Sequence, residues 1–475
     1  MNQLYWLRTD LRVADNTALT AAMNAGPTLA LYLITPEQWR AHDDAPCKID
    51  FWLRNLAELS TRLSELNVPL LIRTLDDWRE VPALMVELCR THRIDALHAN
   101  DEYGVNEQRR DQAVAEALRQ DAVPFHRHLD QLLFAPGSIT TLAGECFKVF
   151  SQFRKVCYSR LSHSLPRSLP TPAPQRWLAM ESDPVPTSVE GLASPDQSLQ
   201  TYWPAGEAAA HRRLQTFAEN VMADYQSLRD MPAEPGTSQV SPYLAAGVLS
   251  PRQCLHAALV TNRGELDSGN PGAVTWINEL LWREFYKHIL VGYPRVSMGR
   301  AFRSETEFLP WRRAPDDLAA WQQGRTGFPI IDAAMRQLLA TGWMHNRLRM
   351  VTAMFLSKNL LIDWREGERW FMQHLIDGDL AANNGGWQWS ASTGTDSVPY
   401  FRLFNPMSQS TRFDPDGRFL RRWLPELATL GERDIHNPHK LNGLFADVDY
   451  PLPIVDLPMS RERALTAFRQ LGEQR

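Results

Sequence analysis

The stretch from Asp377 to Trp389 reads D-G-D-L-A-A-N-N-G-G-W-Q-W. Asp377 and Asp379 bracket Gly378, so the backbone there can turn tightly and both carboxylates can face one ligand. The amides of Asn383 and Asn384 both donate and accept, which suits the edge of a heteroaromatic ring. Gly385 and Gly386 permit close backbone approach, and Trp387 and Trp389 offer flat faces for stacking. An ordinary surface turn has the same composition. So does a calcium loop, but the twelve-residue ligand pattern and its closing Glu are missing.

Three other stretches carry polar groups at suggestive spacing. Gly236 to Ser241 (G-T-S-Q-V-S) is a hydroxyl-rich turn ahead of a helical pattern, which suits either a phosphate or an ordinary helix cap. In W-I-N-E-L-L-W-R-E-F-Y, Trp276 to Tyr286, Glu279 and Arg283 fall on one helix face at i, i+4. In H-N-R-L-R-M, His345 to Met350, two arginines are separated by one residue, with Asn346 and Met350 four apart on one face. A basic helical face with aromatic neighbours suits phosphate contact and base stacking, and equally a solvated surface. Trp6 to Asn16, W-L-R-T-D-L-R-V-A-D-N, reads as an internal ion-pair network, with Asp15 capping a helix that starts near Thr17. Hydrolase and nucleotide signatures are absent: no G-x-S-x-G, P-loop or H-E-x-x-H occurs, and no G-x-G-x-x-G follows the first strand.

The elements that must position these residues fall into two classes. Short apolar runs at Gln3–Leu7, Thr28–Ile34, Pro69–Ile72 and Ile94–Ala99 alternate with amphipathic segments. In the clearest of these, Ile49, Trp52, Leu53, Leu56, Leu59, Leu63 and Leu66 share one face. Strand–helix alternation predicts a doubly wound parallel sheet over residues 1–130. Residues 131–200 read as an interdomain connector, Pro- and Ser-rich from Ser162 onward and able to wrap a surface. From 201 to 475 the periodicity is helical, as at Trp276, Ile277, Leu280, Leu281 and Phe285, at Ile330, Ala334 and Leu338, and at Leu348, Val351 and Phe355. The expected fold is therefore α/β followed by all-α. A net charge of −5 confines any nucleic-acid surface to a local patch, and 16 tryptophans suit packing or stacking on rings. Five cysteines without a C-x-x-C pair, no apolar leader and no apolar run near ~18 residues point to a soluble cytoplasmic protein with no membrane contact.

Taken together, these ordered motifs resemble the photolyase/cryptochrome flavoprotein family, most closely its bacterial class I cyclobutane-dimer DNA photolyases. The resemblance spans essentially the whole chain. It implies an N-terminal α/β antenna-binding domain and a C-terminal helical domain holding FAD. It also implies light-driven repair of pyrimidine dimers in UV-damaged DNA by a monomeric enzyme. By resemblance, Tyr225, Thr237, Ser238, Gln239, Val240 and Ser241 hold the flavin diphosphate side; a basic residue is common where Gln239 stands. Trp276, Arg349, Asp377, Gly378 and Asp379 line the flavin, and Asn383 sits beside its N5. Glu279, Asn346 and Met350 contact the flipped dimer, with Trp282 and Trp389 as aromatic walls. Arg229, Arg283, Arg347 and Arg402 clamp phosphates, and Trp311, Trp364 and Trp387 form an electron-transfer chain. His42, Asn106 and Glu107 match positions used for a 5,10-methenyltetrahydrofolate antenna, although Met298 replaces a frequent lysine. The single His345, followed by Asn346, favours cyclobutane over (6-4) lesions. Two rivals remain: a cryptochrome-type photoreceptor, opposed by Asn383 and by the short tail after the helical region, and a flavin-free nucleic-acid-binding protein.

Overall fold

The computed structural model describes residues 2–440 and 449–473. By internal contacts the chain forms two compact units. The first comprises Met1–Ala223, Ser238–Ser297 and Ile376–Asp379; the second comprises Asp224–Thr237, Met298–Leu375 and Leu380–Arg475.

The first unit is built on five strands, β1 (Asn2–Leu7), β2 (Thr28–Ile34), β3 (Leu70–Thr74), β4 (Ile94–Asn100) and β5 (Phe125–His128), in the order β3-β2-β1-β4-β5. Every pairing is parallel, with Leu4 opposite both Leu29 and Leu97. The crossovers include α1 (Thr17–Ala25), α2 (Pro46–Glu65), α3 (Val81–His92) and α4 (Val105–Arg119). β2 is buried at all seven positions, as a strand covered on both faces must be. One sheet face packs Leu4, Trp6, Leu31 and Leu97 on Met85 and Leu88 of α3 and on Val114 and Leu118 of α4. α2 buries Ile49, Trp52, Leu53, Leu56, Leu59 and Leu63, the stripe its sequence spacing predicts. The chain leaves β1 to one side and returns to β4 on the other. Such a switch point opens a crevice beyond the carboxyl ends of β1 and β4.

Residues 131–200 are more structured than a bare connector. α5 (Phe150–His163) lies within them and packs on α6 (Pro271–Gly292), with Phe150 stacked on Trp282 at 3.7 Å and Phe153 5.4 Å from Phe285. Further on, the Pro-rich segment runs along the outer strand. Asp183 N–H donates to the Leu70 carbonyl at 2.8 Å, Leu70 N–H to Ser182 Oγ at 3.0 Å, and Ile72 N–H to Asp183 Oδ2 at 2.8 Å. An otherwise open sheet edge is thereby satisfied.

In the second unit the regular elements among the described residues are helical. Its core gathers Ile330, Ala334 and Leu338 of α7 (Pro329–Thr341), Leu348 and Val351 of α8 (Asn346–Met354), Trp364 and Phe371 of α9 (Trp364–Met372), and Trp387 of α10 (Leu380–Ala391). A π-turn, Phe355–Asn359, follows α8, and α11 (Leu457–Glu473) covers Leu361 with Ala467 and Phe468.

Candidate active site

Beyond β1, the Trp6–Asn16 stretch is an ionic lattice. Arg8 pairs with Asp111 at 2.7 Å, Arg110 with Glu102 at 2.9 Å, and Arg12 with Asp130 at 2.6 Å. Arg252 joins Asp15 at 3.0 Å and Asp130 at 2.8 Å. Burial opposes the charge on Asp130, but Arg12 and Arg252 outweigh it and hold the carboxyl below its ordinary range. Asp15 is not the cap of α1. Asn16 caps it, its side chain accepting from Leu19 N–H at 3.0 Å, while Asp15 takes a left-handed φ of 54° and turns its carboxylate to Arg252. Gly247, itself at φ 66°, closes this lattice: a Cβ there would collide with the Thr9 backbone, and its carbonyl accepts from Arg12 at 2.9 Å.

Nearby in the first unit, His42, Asn106 and Glu107 come together. His42 Nδ1 lies 3.9 Å from Glu107 Oε1, and His42 Nε2 lies 3.3 Å from Asn106 Nδ2 and 2.5 Å from Gln38 Nε2. Trp78 meets the His42 ring edge-on at 5.2 Å, and Arg110 covers Trp78 at 4.6 Å. Burial, then the Glu102 charge, raises the Glu107 carboxyl above its ordinary value. The Trp78 and His42 rings, one carboxyl and two amides are thus gathered in one place.

α6 carries Trp276, buried against Phe217 at 5.3 Å, and the half-buried Glu279, Trp282 and Arg283. Arg283 Nη1 donates to the Gln131 carbonyl at 2.5 Å, which ties this expected phosphate clamp to the backbone. Asp377 is buried, and Asp379 pairs with Lys287 of α6 at 2.6 Å. The turn Thr237–Ser241 crosses from one unit to the other between Thr237 and Ser238. There Gln239 adopts φ 49° and its side-chain oxygen accepts from Arg213 at 2.8 Å, Val240 is buried, and Ser241 opens a helix of five residues.

In the second unit, His345 caps α8, its Nδ1 accepting from Arg347 N–H at 3.2 Å. Burial drives the His345 imidazole down to about 4, which keeps that acceptor unprotonated. Arg347 grips Asp230 at 3.2 and 2.8 Å and lies over Phe413 at 4.5 Å, while Arg229 covers Tyr225 at 5.4 Å and reaches Asp230 at 4.0 Å. Two of the expected phosphate clamps thus share one carboxylate. Asn346 and Arg402 are exposed, Met350 and Trp389 half-buried. Arg349 Nε donates to the Met344 carbonyl at 2.8 Å.

Asn383 and Gly386 lie three apart and so share a face of α10. Asn383 Nδ2 donates to the Glu368 carbonyl at 2.9 Å, which fixes the amide, and a Cβ built on Gly386 meets nothing within 4 Å. That face combines an oriented amide, its oxygen left as an acceptor, with open space beside it. Trp387 packs on Gly367 of α9, on Phe371 at 5.0 Å and on Trp321 at 5.9 Å. Trp364 is buried under Arg365 at 4.9 Å, and Trp311 lies half-buried against Leu309, Leu361, Ala467 and Phe468. Sequence reasoning had no means of finding Lys287, Asp230 or the Glu368 carbonyl, whose partners lie 92, 117 and 15 residues away. Among the described residues no group of three or more His, Cys, Asp or Glu could hold a metal ion, and no helix is long and apolar enough to cross a membrane.

Residues 276–470 match the family model described as the FAD binding domain of DNA photolyase, and residues 3–175 match the one described as DNA photolyase. The chain is 45% identical over 469 residues to the deoxyribodipyrimidine photo-lyase of Escherichia coli K12, covering 98% of each. A solved cryptochrome of Synechocystis superposes with a TM-score of 0.86 at 28% identity, covering 98% of each chain. A photolyase from Sulfolobus tokodaii with two FAD molecules, described as implying a novel light-harvesting cofactor, gives 0.81 at 28%, covering 99% of this chain and all of its own. A parallel sheet followed by a helical FAD-binding region defines a flavoprotein of the photolyase/cryptochrome class. Within that class, the chain belongs to the DNA photolyase family.

Proposed function

We propose that the chain is a light-dependent DNA repair lyase, a deoxyribodipyrimidine photo-lyase that splits cyclobutane pyrimidine dimers. When bound in its reduced form and excited by light, FAD supplies one electron that opens the cyclobutane ring and recovers it afterwards, so nothing is oxidised or reduced overall. The chain's own residues bind, orient and exclude water. Tyr225, Thr237, Ser238, Gln239, Val240, Ser241, Trp276, Arg349, Asp377, Gly378 and Asp379 hold the cofactor, with Asn383 beside its reactive nitrogen. The observation that carries this reading is the Asn383 amide, whose Nδ2 is committed to the Glu368 carbonyl at 2.9 Å. Its oxygen is thereby oriented as an acceptor for a protonated ring nitrogen. Trp387, Trp364 and Trp311 carry electrons inward to restore the reduced state; the packing of Trp387 on Gly367 and Phe371 suits a ring that must hold one geometry.

On the DNA side, Glu279, Asn346 and Met350 receive the flipped dimer between Trp282 and Trp389, and Arg229, Arg283, Arg347 and Arg402 engage phosphates. His42, Asn106 and Glu107 hold a folate antenna, 5,10-methenyltetrahydrofolate, supported by the aromatic and amide lining around His42. Functionally the chain divides into an antenna domain at 1–130, a connector at 131–200 and a catalytic domain at 201–475. The contact units group residues by packing, a different criterion. The enzyme acts as a cytoplasmic monomer.

The test uses reduced protein and an oligonucleotide carrying one cyclobutane thymine dimer. Thymine absorbance should recover under near-UV to blue light and stay flat in the dark. Flavin-loaded, reduced protein that leaves the dimer intact would overturn the reading in favour of a photoreceptor. The absorption spectrum of cofactor released from the protein decides whether the antenna is a folate or a second flavin.

A further inference from the structure

Lys358 is a lysine with no exposed surface, seated in the π-turn Phe355–Asn359 that follows α8. Its ammonium donates to the backbone carbonyl of Arg402 at 3.0 Å and reaches that of Pro399 at 3.5 Å. The two carbonyls belong to one turn, which closes on itself where Arg402 N–H donates to the Pro399 carbonyl at 2.9 Å. Turning its carbonyls inward to one buried cation leaves the turn's side chains to face solvent. Phe401 is 57% exposed and Arg402 is exposed beside it. Tyr400, between them and the core, stacks on Phe468 of α11 at 5.5 Å.

Both ends of this contact are fixed. The π-turn is held by Arg463 Nη2 donating to the Asn359 carbonyl at 2.6 Å, and Arg312 Nη1 donates to the neighbouring Leu360 carbonyl at 2.8 Å. The loop's other end is tied just past α10, where Ser392 Oγ donates to the Val398 carbonyl at 2.6 Å. A buried ammonium with carbonyl partners only is a costly arrangement, and a methionine would fill the same volume without that cost. What the charge adds is a tie between the π-turn and two carbonyls of the Pro399–Arg402 turn.

We propose that Lys358 is a positioning residue for damaged DNA, which locks the Pro399–Arg402 turn so that Arg402 meets a backbone phosphate while Phe401 stacks on a base. This rests on the DNA-repair reading above and names how one of its phosphate contacts is built. Phe401 is a DNA-contacting residue that the motifs did not single out. A flat ring next to a guanidinium is the pairing that binds single-stranded or opened nucleic acid with little sequence preference. Opened DNA is what flipping a dimer leaves behind.

The lock is also pH-sensitive. Burial, then the Arg402 charge, brings the Lys358 ammonium down to about 7. Arg402 on the turn is the charge that acts on it; Arg463 on α11 and Arg312 before α7 hold the neighbouring Asn359 and Leu360 carbonyls, Asp317 pairs with Arg312 at 3.0 Å, and Tyr400 comes from the turn itself. As pH rises through neutrality, the proton leaves, the attraction for two carbonyls weakens and the turn loosens.

The experiment measures equilibrium binding of the full-length, flavin-loaded chain to a duplex carrying one thymine dimer, for the parent, Lys358→Met, Arg402→Gln and the double variant. Each is measured from pH 6 to pH 8.5, with thermal melting as a check on folding. Lys358→Met should weaken binding about tenfold at pH 6, and the double variant should lose less than the two single losses combined, because both changes remove the Arg402 contact and only Lys358→Met also frees Phe401. The parent should lose affinity several-fold across the range, and Lys358→Met should be flat. Strictly additive losses, or a parent and Lys358→Met with the same pH profile, would overturn the assignment. If Lys358→Met does not fold, the pH profile of Arg402→Gln decides: a slope as steep as the parent's sinks the idea. A parent that repairs dimers yet shows none of this coupling removes Lys358 alone; a parent that never repairs them removes the functional reading, and this one with it.

Discussion

At the residue scale, an amide at position 383 differs from a carboxylate by more than its charge. Asn383 Nδ2 donates to the Glu368 carbonyl, so an aspartate there would set an anionic oxygen against a carbonyl oxygen. Asn383→Asp should therefore swing away from the flavin or repel its reduced, anionic form. Reoxidation of the reduced flavin in air should be faster by about tenfold, equivalent to ~1.4 kcal/mol. A variant that reoxidises at the parent rate would remove Asn383 from its role. Asp230 makes a second residue-scale test, since it partly neutralises both Arg229 and Arg347. Asp230→Asn should raise affinity for undamaged DNA at low salt, by roughly the ~1 kcal/mol of a half-exposed ion pair. The measurement is a titration against a lesion-free duplex, and weaker binding would mean that Asp230 chiefly orients the arginines. The stretch Asp377 to Trp389 was legible as chemistry because its residue types are dense within thirteen positions. What was not legible is the conformation: Gly385 and Gly386 lie inside α10, where Gly386 supplies clearance beside Asn383.

At the scale of elements, periodicity found what it should. β2 matches its apolar run residue for residue, and β1, β3 and β4 match to within two residues at either end. β5 was missed because Phe-His-Arg-His on a partly exposed edge strand has no apolar alternation to read. α5 was missed because the Pro-rich chain after it dominated the reading of residues 131–200, although Phe150, Phe153, Cys157 and Leu161 carry a helical stripe. The cap of α1 was misplaced by one residue because the partner that draws Asp15 away, Arg252, is 237 positions distant. The edge covering of β3 makes a prediction of its own. Replacing residues 178–183 with a Gly/Ser linker would strip the hydrogen-bond partners from Leu70 and Ile72 and expose Leu178 and Met180's packing surface. Light scattering should show concentration-dependent association, with folded-state circular dichroism retained. A linker variant as monodisperse as the parent would mean that the edge is protected some other way.

At the scale of the molecule, charge and pH set the terms. With a net charge of −5, DNA affinity must come from local contacts, so the salt dependence counts them. If Arg229, Arg283, Arg347 and Arg402 each engage a phosphate, a slope of log K against log salt near −3.6 is expected, at about −0.9 per contact. A slope close to zero would rule the four out as a set. Stability should have its own pH signature. Glu284 is fully buried on α6, accepting from Leu133 N–H at 2.8 Å and Phe134 N–H at 3.3 Å, and burial lifts its carboxyl to about 7. Between the ordinary carboxylate range and 7, the folded chain keeps a proton that the unfolded chain releases. Its contribution to stability is therefore present at low pH and lost as pH rises toward 7, on the order of 3 kcal/mol in total. Glu284→Gln should flatten that part of the melting-temperature profile, and an unchanged profile would refute the assignment.

The ionic lattice behind β1 has a consequence for how the chain is made. Arg252 neutralises Asp15 and Asp130, and Gly247 docks on the Thr9 backbone, so the sheet's own polar plug is completed by residues that a ribosome delivers long after the fifth strand. Until then, a nascent chain of 175 residues holds the whole parallel sheet yet would have to bury Asp15 without its cation. Early closure is thus penalised, and the first unit is expected to snap shut only once the stretch around Arg252 has emerged. The stretch that a family model outlines at residues 3–175 therefore stops short of the residues that complete this plug.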